Sequence, residues 1–492
     1  MAKTIRLSPH DRDFFDLVSR RAFCNPFSDE RIALDCRIAE CPSQVTVGVP
    51  IEQVFNKVRK RIQCLEIDGR AGIRQFQGEE RSTMEGVFLF YIFHQFSKEF
   101  DKLIITQFAE GDDPCAVPFA RDILNMLVSR GFYVQESHRF LAMIYQLQRA
   151  YYFIEQSLVG EAPCMKQLRL RLWNNVFTYD IRWYGKYLWD RMEDFSTLFL
   201  GETGTGKGAA AAAIGRSGFI PYNAKKECFT ESFVRNFISI NLSLYPESLI
   251  ESELFGHKKG AFTGAIEQHQ GIFSRCSPHG SIFLDEIGDV SVPIQLKLLQ
   301  ILQERTFSPV GSHKRLRFNG RVIAATNKPL TELRKKGVIR DDFYYRLCSD
   351  CILVPPLRQR IRENPGELDI MLAHLLFRMI GEESNELTQM VCHEIRNSMG
   401  FDYSWPGNVR ELEQAVRRIL LTKEYKVDHA RVSSSLQNKL LSGIEAGELS
   451  AQELLNTYCT LLYERFGTYE KVARITNLDR RTVKRYVELS GK

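Results

Sequence analysis

The sequence predicts an α/β core, a parallel sheet built around a phosphate-binding loop, with a mostly helical segment before it and helical segments after it. Three observations carry this expectation. The apolar run Thr197-Leu198-Phe199-Leu200 enters a glycine-rich loop, Gly201-Glu202-Thr203-Gly204-Thr205-Gly206-Lys207-Gly208, and the small residues Ala209 to Ala213 continue as a helix. A second apolar run, Ile282-Phe283-Leu284, ends in the carboxylates Asp285 and Glu286. Strand and helix patterns alternate through about Pro355, which implies a parallel sheet.

Composition sets the frame. The length of 492 residues corresponds to roughly three domains of ~150 residues. Hydrophobic content of 44% and charged content of 26% are ordinary for a soluble globular chain. A net charge of +6 is mild; nucleic-acid binding needs a local basic cluster, not this average. No apolar run reaches the ~18 residues of a membrane span. The most apolar stretch, Val87 to Phe93, stops at His94 and Gln95, and the Met1 to Arg6 start lacks the apolar core of a signal peptide. No membrane association and a cytoplasmic location are expected. Of twelve cysteines only Cys348 and Cys351 form a CxxC, with no second pair at zinc spacing, so reduced thiols are expected.

The first ~157 residues carry helical stripes. Ile51, Val54, Phe55, Val58, Ile62 and Leu65 recur at helical spacing, with Lys57, Arg59, Lys60 and Arg61 on a solvated face. A second helix is expected from about Thr83 to Leu103. A third carries Phe119, Ile123, Leu127 and Val128 and stops at Gly131. A fourth carries Phe140, Ile144, Leu147 and Tyr151. A receiver fold would alternate strands and helices around an acidic cluster, and that pattern is absent. A regulatory or interaction role is expected here.

The strand, loop and helix around Lys207 form the context that a P-loop requires. Glycines let backbone N–H groups converge on phosphate oxygens, and the helix N-terminus adds partial positive charge. Lys207 can reach the β- and γ-phosphates. Gly208 stands where most such loops have Ser or Thr to hold Mg²⁺, so the metal must rely on phosphate oxygens, water and Asp285. Asp285 and Glu286 end an apolar strand, where ligands bind in open α/β sheets. Asp285 is expected to orient Mg²⁺, and Glu286 to polarise an attacking water.

Between these two segments stands Gly260-Ala261-Phe262-Thr263-Gly264-Ala265, after Glu251-Ser252-Glu253-Leu254-Phe255-Gly256-His257-Lys258-Lys259. Gly260 and Gly264 free the tip to change conformation, and Phe262 and Thr263 offer a compact contact pair. With these motifs the chain resembles the sigma-54-dependent transcriptional activators, AAA+ ATPases also called bacterial enhancer-binding proteins. The resemblance starts near Leu158-Val159-Gly160-Glu161-Ala162-Pro163 and covers most of the remaining chain, except the divergent, aromatic-rich Asp180 to Phe195. In that family GAFTGA tips a mobile loop that touches the sigma-54 form of RNA polymerase.

The resemblance implies further roles. Asn241, in Ile238-Ser239-Ile240-Asn241, matches the asparagine that hydrogen-bonds the catalytic glutamate. Val322-Ile323-Ala324-Ala325-Thr326-Asn327 matches the first sensor, with Thr326 and Asn327 near the γ-phosphate. Arg340 and Arg346, in Arg340-Asp341-Asp342-Phe343-Tyr344-Tyr345-Arg346-Leu347, match arginine fingers acting on the neighbouring subunit's ATP in a hexameric ring. Trp405-Pro406-Gly407-Asn408-Val409-Arg410 matches the second sensor: Pro406 and Gly407 make the turn, Asn408 caps, and Arg410 reaches the nucleotide from the lid. Val354-Pro355-Pro356-Leu357-Arg358 matches the hinge before the lid. Gly208 departs from the family too, which usually has Glu there.

The C-terminus carries Leu454, Leu455, Tyr458, Leu461 and Leu462 at helical spacing, then Tyr469 to Ile475, a turn at Thr476-Asn477-Leu478-Asp479, and a basic helix. This resembles the Fis-type helix-turn-helix that ends many activators. Ala473 suits close helix crossing, Asp479 caps, and Asn477 tolerates the left-handed turn. Arg480, Arg481, Thr482, Lys484 and Arg485 would divide between phosphates and base edges.

The expected organisation is a regulatory segment at 1–157, an AAA+ core at 158–355, a helical lid at 356–426, a linker at 427–450 and a DNA-binding domain at 451–492. The expected function is a cytoplasmic activator that binds double-stranded DNA upstream of promoters and spends ATP, with Mg²⁺, on remodelling the closed complex of sigma-54 RNA polymerase. Gly208 keeps open a DNA-binding regulator whose motor is a weak nucleotide-controlled assembly switch. Phe262 and Thr263 speak against a general AAA+ remodeller.

Overall fold

The computed structural model describes residues 6–41, 49–69, 71–399, 403–423 and 449–490, together with positions 440, 443, 444 and 447. The chain divides into two compact units, Met1–Glu367 and Leu368–Lys492.

The first unit opens with eight helices: α1 Pro9–Phe23, α2 Asp29–Ala39, α3 Ile51–Ile67, α4 Gly78–Gln95, α5 Ser97–Glu110, α6 Ala120–Ser129, α7 Val134–Ser157 and α8 Pro163–Phe177. The single helix expected from Thr83 to Leu103 is two. Phe96 ends α4, its N–H bonded to the Ile92 carbonyl, and its ring stacks on Phe119 at 6.1 Å. The Ser97 hydroxyl donates to the His94 carbonyl. No glycine or proline marks this break; tertiary packing of Phe96 makes it. Gly131 does close α6, at φ +93°, but Val128 faces outward.

The core follows as β1 Thr197–Leu200, α9 Lys207–Gly215, β2 Phe237–Asn241, α10 Glu247–Phe255, β3 Ser281–Asp285, α11 Val292–Glu304, β4 Arg321–Thr326, α12 Asp341–Leu347, β5 Asp350–Leu353 and α13 Leu357–Glu363. The five strands form one parallel sheet in the order β2-β3-β4-β1-β5. Strand alternation splits the apolar residues between two faces. Leu198, Ile282, Leu284, Val322 and Ala324 pack with Leu298 and Leu302 of α11. Phe199, Phe283, Ile323 and Ala325 pack instead with Ala210, Ala213 and Ile214 of α9 and, continuously, with the N-terminal helices.

The N-terminal segment therefore shares a core with the sheet, and residue 157 is no boundary in packing. Helix α7 is the joint. Its Arg149, fully buried, donates to the carbonyls of Arg216 (2.7 Å) and Gly218 (2.6 Å), just past the end of α9. Gln146 donates to the Ser217 carbonyl and to Tyr184 Oη. Burial pulls the Arg149 pKa down to about 10, and a cation at a helix C-terminus complements the macrodipole.

The divergent segment forms one helical turn at Ile181–Trp183 running into a wider turn at Tyr184–Leu188. A buried polar knot ties this region to the sheet: Arg321 donates to Asn175 Oδ1 (2.7 Å), Thr197 Oγ1 and the Phe195 carbonyl.

The second unit contains nearly all of α14 Glu367–Ile380, then α15 Asn385–Met399 and α16 Asn408–Thr422, followed by α17 Ala451–Phe466, α18 Tyr469–Thr476 and α19 Arg480–Ser490. The lid is helical as expected, although its first helix, α13, clusters with the first unit. Most of the expected linker at 427–450 lies outside the described residues.

Candidate nucleotide site and contact loop

The loop Gly201–Gly208 joins β1 to α9 at the C-terminal edge of the sheet. Gly201 (φ +150°) passes so close to the hinge that a Cβ there would meet the Val354 carbonyl at 2.8 Å, and Gly206 (φ +102°) turns the chain into α9. Both positions need glycine, and together they leave a concave backbone edge at a helix N-terminus, a setting that suits phosphate. Lys207 is buried and its Nζ donates to the carbonyls of Gly201 (2.8 Å) and Glu202 (3.0 Å). Thr205 Oγ1 donates to the Glu202 carbonyl, which stiffens the turn. Gly208 is exposed, and a Cβ there would touch only Phe283 Cε1 at 3.8 Å. Steric exclusion does not account for glycine at this position.

Asp285 ends β3, and its Oδ1 accepts from the N–H of Glu286. Glu286 sits in the left-handed region at φ +56°, a conformation that costs a non-glycine residue energy and clusters at functional sites. Its carboxylate accepts from the N–H of Asn327, and the Asn327 amide donates to Thr203 Oγ1 at 2.9 Å. The expected sensor thus bridges the acidic strand end and the phosphate loop. Thr326 is buried, its hydroxyl accepting from the N–H of Lys328.

Asn241 is paired in register with Asp285 across β2 and β3. Its Oδ1 accepts from Ser243, N–H at 3.0 Å and hydroxyl at 2.7 Å, and the expected donation from its amide to the Glu286 carboxylate is not made. Arg340 precedes α12, exposed, and forms a fork with Asp342 at 3.0 and 2.8 Å. Arg346 donates from Nε to the Leu302 carbonyl at 2.8 Å. Arg410 lies in the first turn of α16 and is exposed. Asn408 does not cap from outside; it is the buried first residue of α16, and the Glu411 carboxylate accepts from the Gly407 N–H at 2.7 Å. Among the described residues no group of three or more His, Cys, Asp or Glu could hold a metal by itself.

The sequence reading missed one ion pair: Arg358, after the hinge, donates to Glu202 of the phosphate loop at 2.7 Å. Its signal was the hinge motif, but nothing in the motif names the partner.

The hexapeptide caps a loop held at its base by reciprocal backbone bonds between His257 and His269 and by Lys258 N–H to the Val310 carbonyl. Gly260 (φ +77°) and Gly264 (φ +99°) close the tip, with the Gly260 N–H on the Ala265 carbonyl. Phe262 is 39% exposed, edge-on to His257, and Thr263 is exposed. A second loop meets it: a Cβ on Gly311 would lie 2.8 Å from Ala261 Cβ.

In the C-terminal helices, Cys459, Val472, Val483 and Tyr486 form a small core. Asn477 takes the left-handed turn at φ +55°, and Asp479 caps α19 through the Arg481 N–H at 2.7 Å. Arg480, Arg481, Lys484 and Arg485 are exposed and Thr482 is half-buried. Arg480 pairs with Glu470 at 3.0 Å.

Residues 190–352 match the Sigma-54 interaction domain family, and residues 362–446 match an AAA+ ATPase lid domain family. Residues 190–352 are thus similar to a sigma-54 interaction domain. This match begins at Asp190, later than the resemblance expected from Leu158. The chain is 37% identical over 281 residues to the Nif-specific regulatory protein of Azotobacter vinelandii, covering 56% of this chain and 46% of that one. It is 40% identical over 226 residues to the regulatory protein AtoC of Escherichia coli, covering 46% and 45%. With the transcriptional regulatory protein GlrR of Escherichia coli it shares 35% over 288 residues, 58% and 61% of the two chains. The chain spans about half the length of the curated relatives it matches. A solved structure of NtrX from Brucella abortus in complex with ATP aligns with TM-score 0.42 at 20% identity, over 75% of this chain and 80% of that one. Among the described residues no helix is long and apolar enough to cross a membrane.

Proposed function

We propose that the protein is a cytoplasmic sigma-54-dependent transcriptional activator that uses ATP hydrolysis to remodel the closed complex of sigma-54 RNA polymerase. The single observation that carries this reading is the intact hexapeptide Gly260–Ala265 on the same domain as Lys207, Asp285 and Glu286. A phosphate loop alone speaks for nucleotide binding; an exposed Phe262–Thr263 pair on a glycine-closed loop speaks for a protein partner.

In this reading Lys207 exchanges the carbonyls of Gly201 and Glu202 for the β- and γ-phosphates. Glu286 accepts a proton from the attacking water, with Asn327 reporting the γ-phosphate to it. Mg²⁺ bound with ATP neutralises phosphate charge. Asp285 is the side chain that holds it, since Gly208 has no donor. Arg340 and Arg346 act in trans on a neighbour's ATP in a homo-oligomer, a hexameric ring. Arg410 approaches the nucleotide from the lid. Asn241 switches from Ser243 to Glu286 between nucleotide states. Arg480, Arg481, Thr482, Lys484 and Arg485 bind double-stranded DNA upstream of promoters.

The test pairs ATPase rate against protein concentration with open-complex formation by sigma-54 polymerase. The rate per subunit is expected to climb with concentration, and Thr263→Ala to keep ATPase while losing activation. Activation that survives Thr263→Ala would sink the reading. A second reading, a DNA-binding regulator with a nucleotide-controlled assembly switch, is favoured by Gly208. Rings that form on ATP without turnover would establish it instead.

A further inference from the structure

Within the first unit lies a cavity of about 620 Å³, lined by α1, α4 and α7 and by residues around Trp173–Lys186. Small-molecule sites span roughly 300–1,000 Å³. The phosphate machinery and the contact loop leave this space unused. Much of its wall is apolar, including Phe90, Phe93, Phe140, Met143, Leu147 and Trp173.

The wall also includes a buried positive charge. Arg21 is only 5% exposed. Its Nε donates to Asp35 Oδ1 and the Nε of Arg31 donates to Asp35 Oδ2, both at 2.9 Å. Two guanidiniums thus share one carboxylate, and one positive charge is left over. Arg21 Nη1 lies 3.0 Å from His94 Nε2. A guanidinium only donates, so His94 accepts there and is neutral. Burial, then the charges of Arg21 and Arg31, hold the His94 pKa well below its usual value. The Nη2 of Arg21 is buried with no hydrogen-bond partner, and so is the Nε of Arg139, another wall residue. A buried donor without an acceptor costs free energy that a ligand's acceptor would recover.

The wall holds two acids. Asp101 accepts from Gln148 Nε2 at 2.7 Å. Burial, then the nearby Glu136, raises the Glu85 pKa above the usual carboxylate value.

We propose that this cavity binds an amphipathic organic anion, its carboxylate on Arg21 and its aromatic or alkyl body against Phe90, Phe140, Leu147 and Trp173. A carboxylate supplies the acceptor that Nη2 lacks and neutralises the surplus charge. A neutral polar molecule would do only the first, and inorganic phosphate would leave the apolar wall uncovered.

The experiment is calorimetric titration of the full chain with 2-naphthoate, indole-3-acetate and decanoate, each beside its neutral amide. At least one acid is expected to bind and its amide to bind more weakly. Arg21→Met should weaken the acid by roughly ten- to a hundredfold, the loss of a charge-assisted bond. Leu89→Trp, which fills the cavity and keeps both arginines, should abolish binding of acid and amide alike. If Arg21→Met fails to fold, the amide comparison and Leu89→Trp decide. The proposal falls if no acid binds below about 1 mM, if acid and amide bind equally, or if Leu89→Trp binds as the parent does.

Discussion

Lys207 rests on two carbonyls of its own loop, a placeholder arrangement that phosphate oxygens can replace. Lys207→Ala removes the only long cationic side chain in Gly201–Gly208, and nucleotide affinity is expected to fall by roughly ten- to a hundredfold or more in titration with a fluorescent ATP analogue. Gly208 invites the opposite change. Its Cβ position is open apart from Phe283 at 3.8 Å, so Gly208→Ser should leave the melting temperature unchanged. The added hydroxyl should shift the Mg²⁺ dependence of ATPase to lower concentration; an unmoved Mg²⁺ curve would mean that Asp285 and the phosphates already suffice. Lys207, Asp285 and Glu286 were legible in the sequence because each stands in a contiguous motif. Arg358 on Glu202 was not, because its partner is 156 residues away. The Ser243 bond of Asn241 was legible as chemistry, a turn-capping amide, but the family resemblance pointed elsewhere.

At the scale of elements, α7 and the contact loop illustrate two kinds of coupling. Arg149 of α7 ends the phosphate-loop helix by holding the carbonyls of Arg216 and Gly218. Arg149→Met strands both half-buried acceptors, at about 1 kcal/mol each, and urea unfolding should show a lower midpoint. An unchanged midpoint would mean that water replaces the guanidinium. The contact loop leans on Gly311, whose φ of +72° and 2.8 Å Cβ clearance to Ala261 both oppose a side chain. Gly311→Ala is expected to displace the loop, leaving ATPase intact and lowering activation by sigma-54 polymerase. Helical periodicity marked α3, α6 and α7 in advance. It merged α4 with α5, because Phe96 breaks the helix through its contact with Phe119 and not through any local stop signal. In the C-terminal helices Lys484 is exposed; Lys484→Ala should weaken DNA binding and lower the salt slope by about one if it meets a phosphate.

At the scale of the whole molecule, the N-terminal helices and the sheet share one apolar cluster running from Leu7 to Val354. A chain begun at Leu158 keeps every motif of the motor yet loses α7, and so uncovers the outer side of α9 and two carbonyl acceptors. It is expected to aggregate or to melt at lower temperature than the full chain, by size-exclusion chromatography and calorimetry. A monodisperse, cooperatively melting fragment would show that the shared core is dispensable.

The sequence by itself determined the phosphate loop, the acidic strand end, the exposed hexapeptide and the C-terminal turn. Each is a run of neighbouring residues whose chemistry depends on backbone freedom and side-chain type within a few positions. Tertiary structure alone decided that the N-terminal helices complete the motor's core, that Arg149 terminates α9, and that Arg21 lies buried with an unsatisfied donor beside an apolar cavity. Those features depend on which surfaces meet. Periodicity says that a helix has an apolar face, but the partner of that face is chosen by shape and burial across the fold.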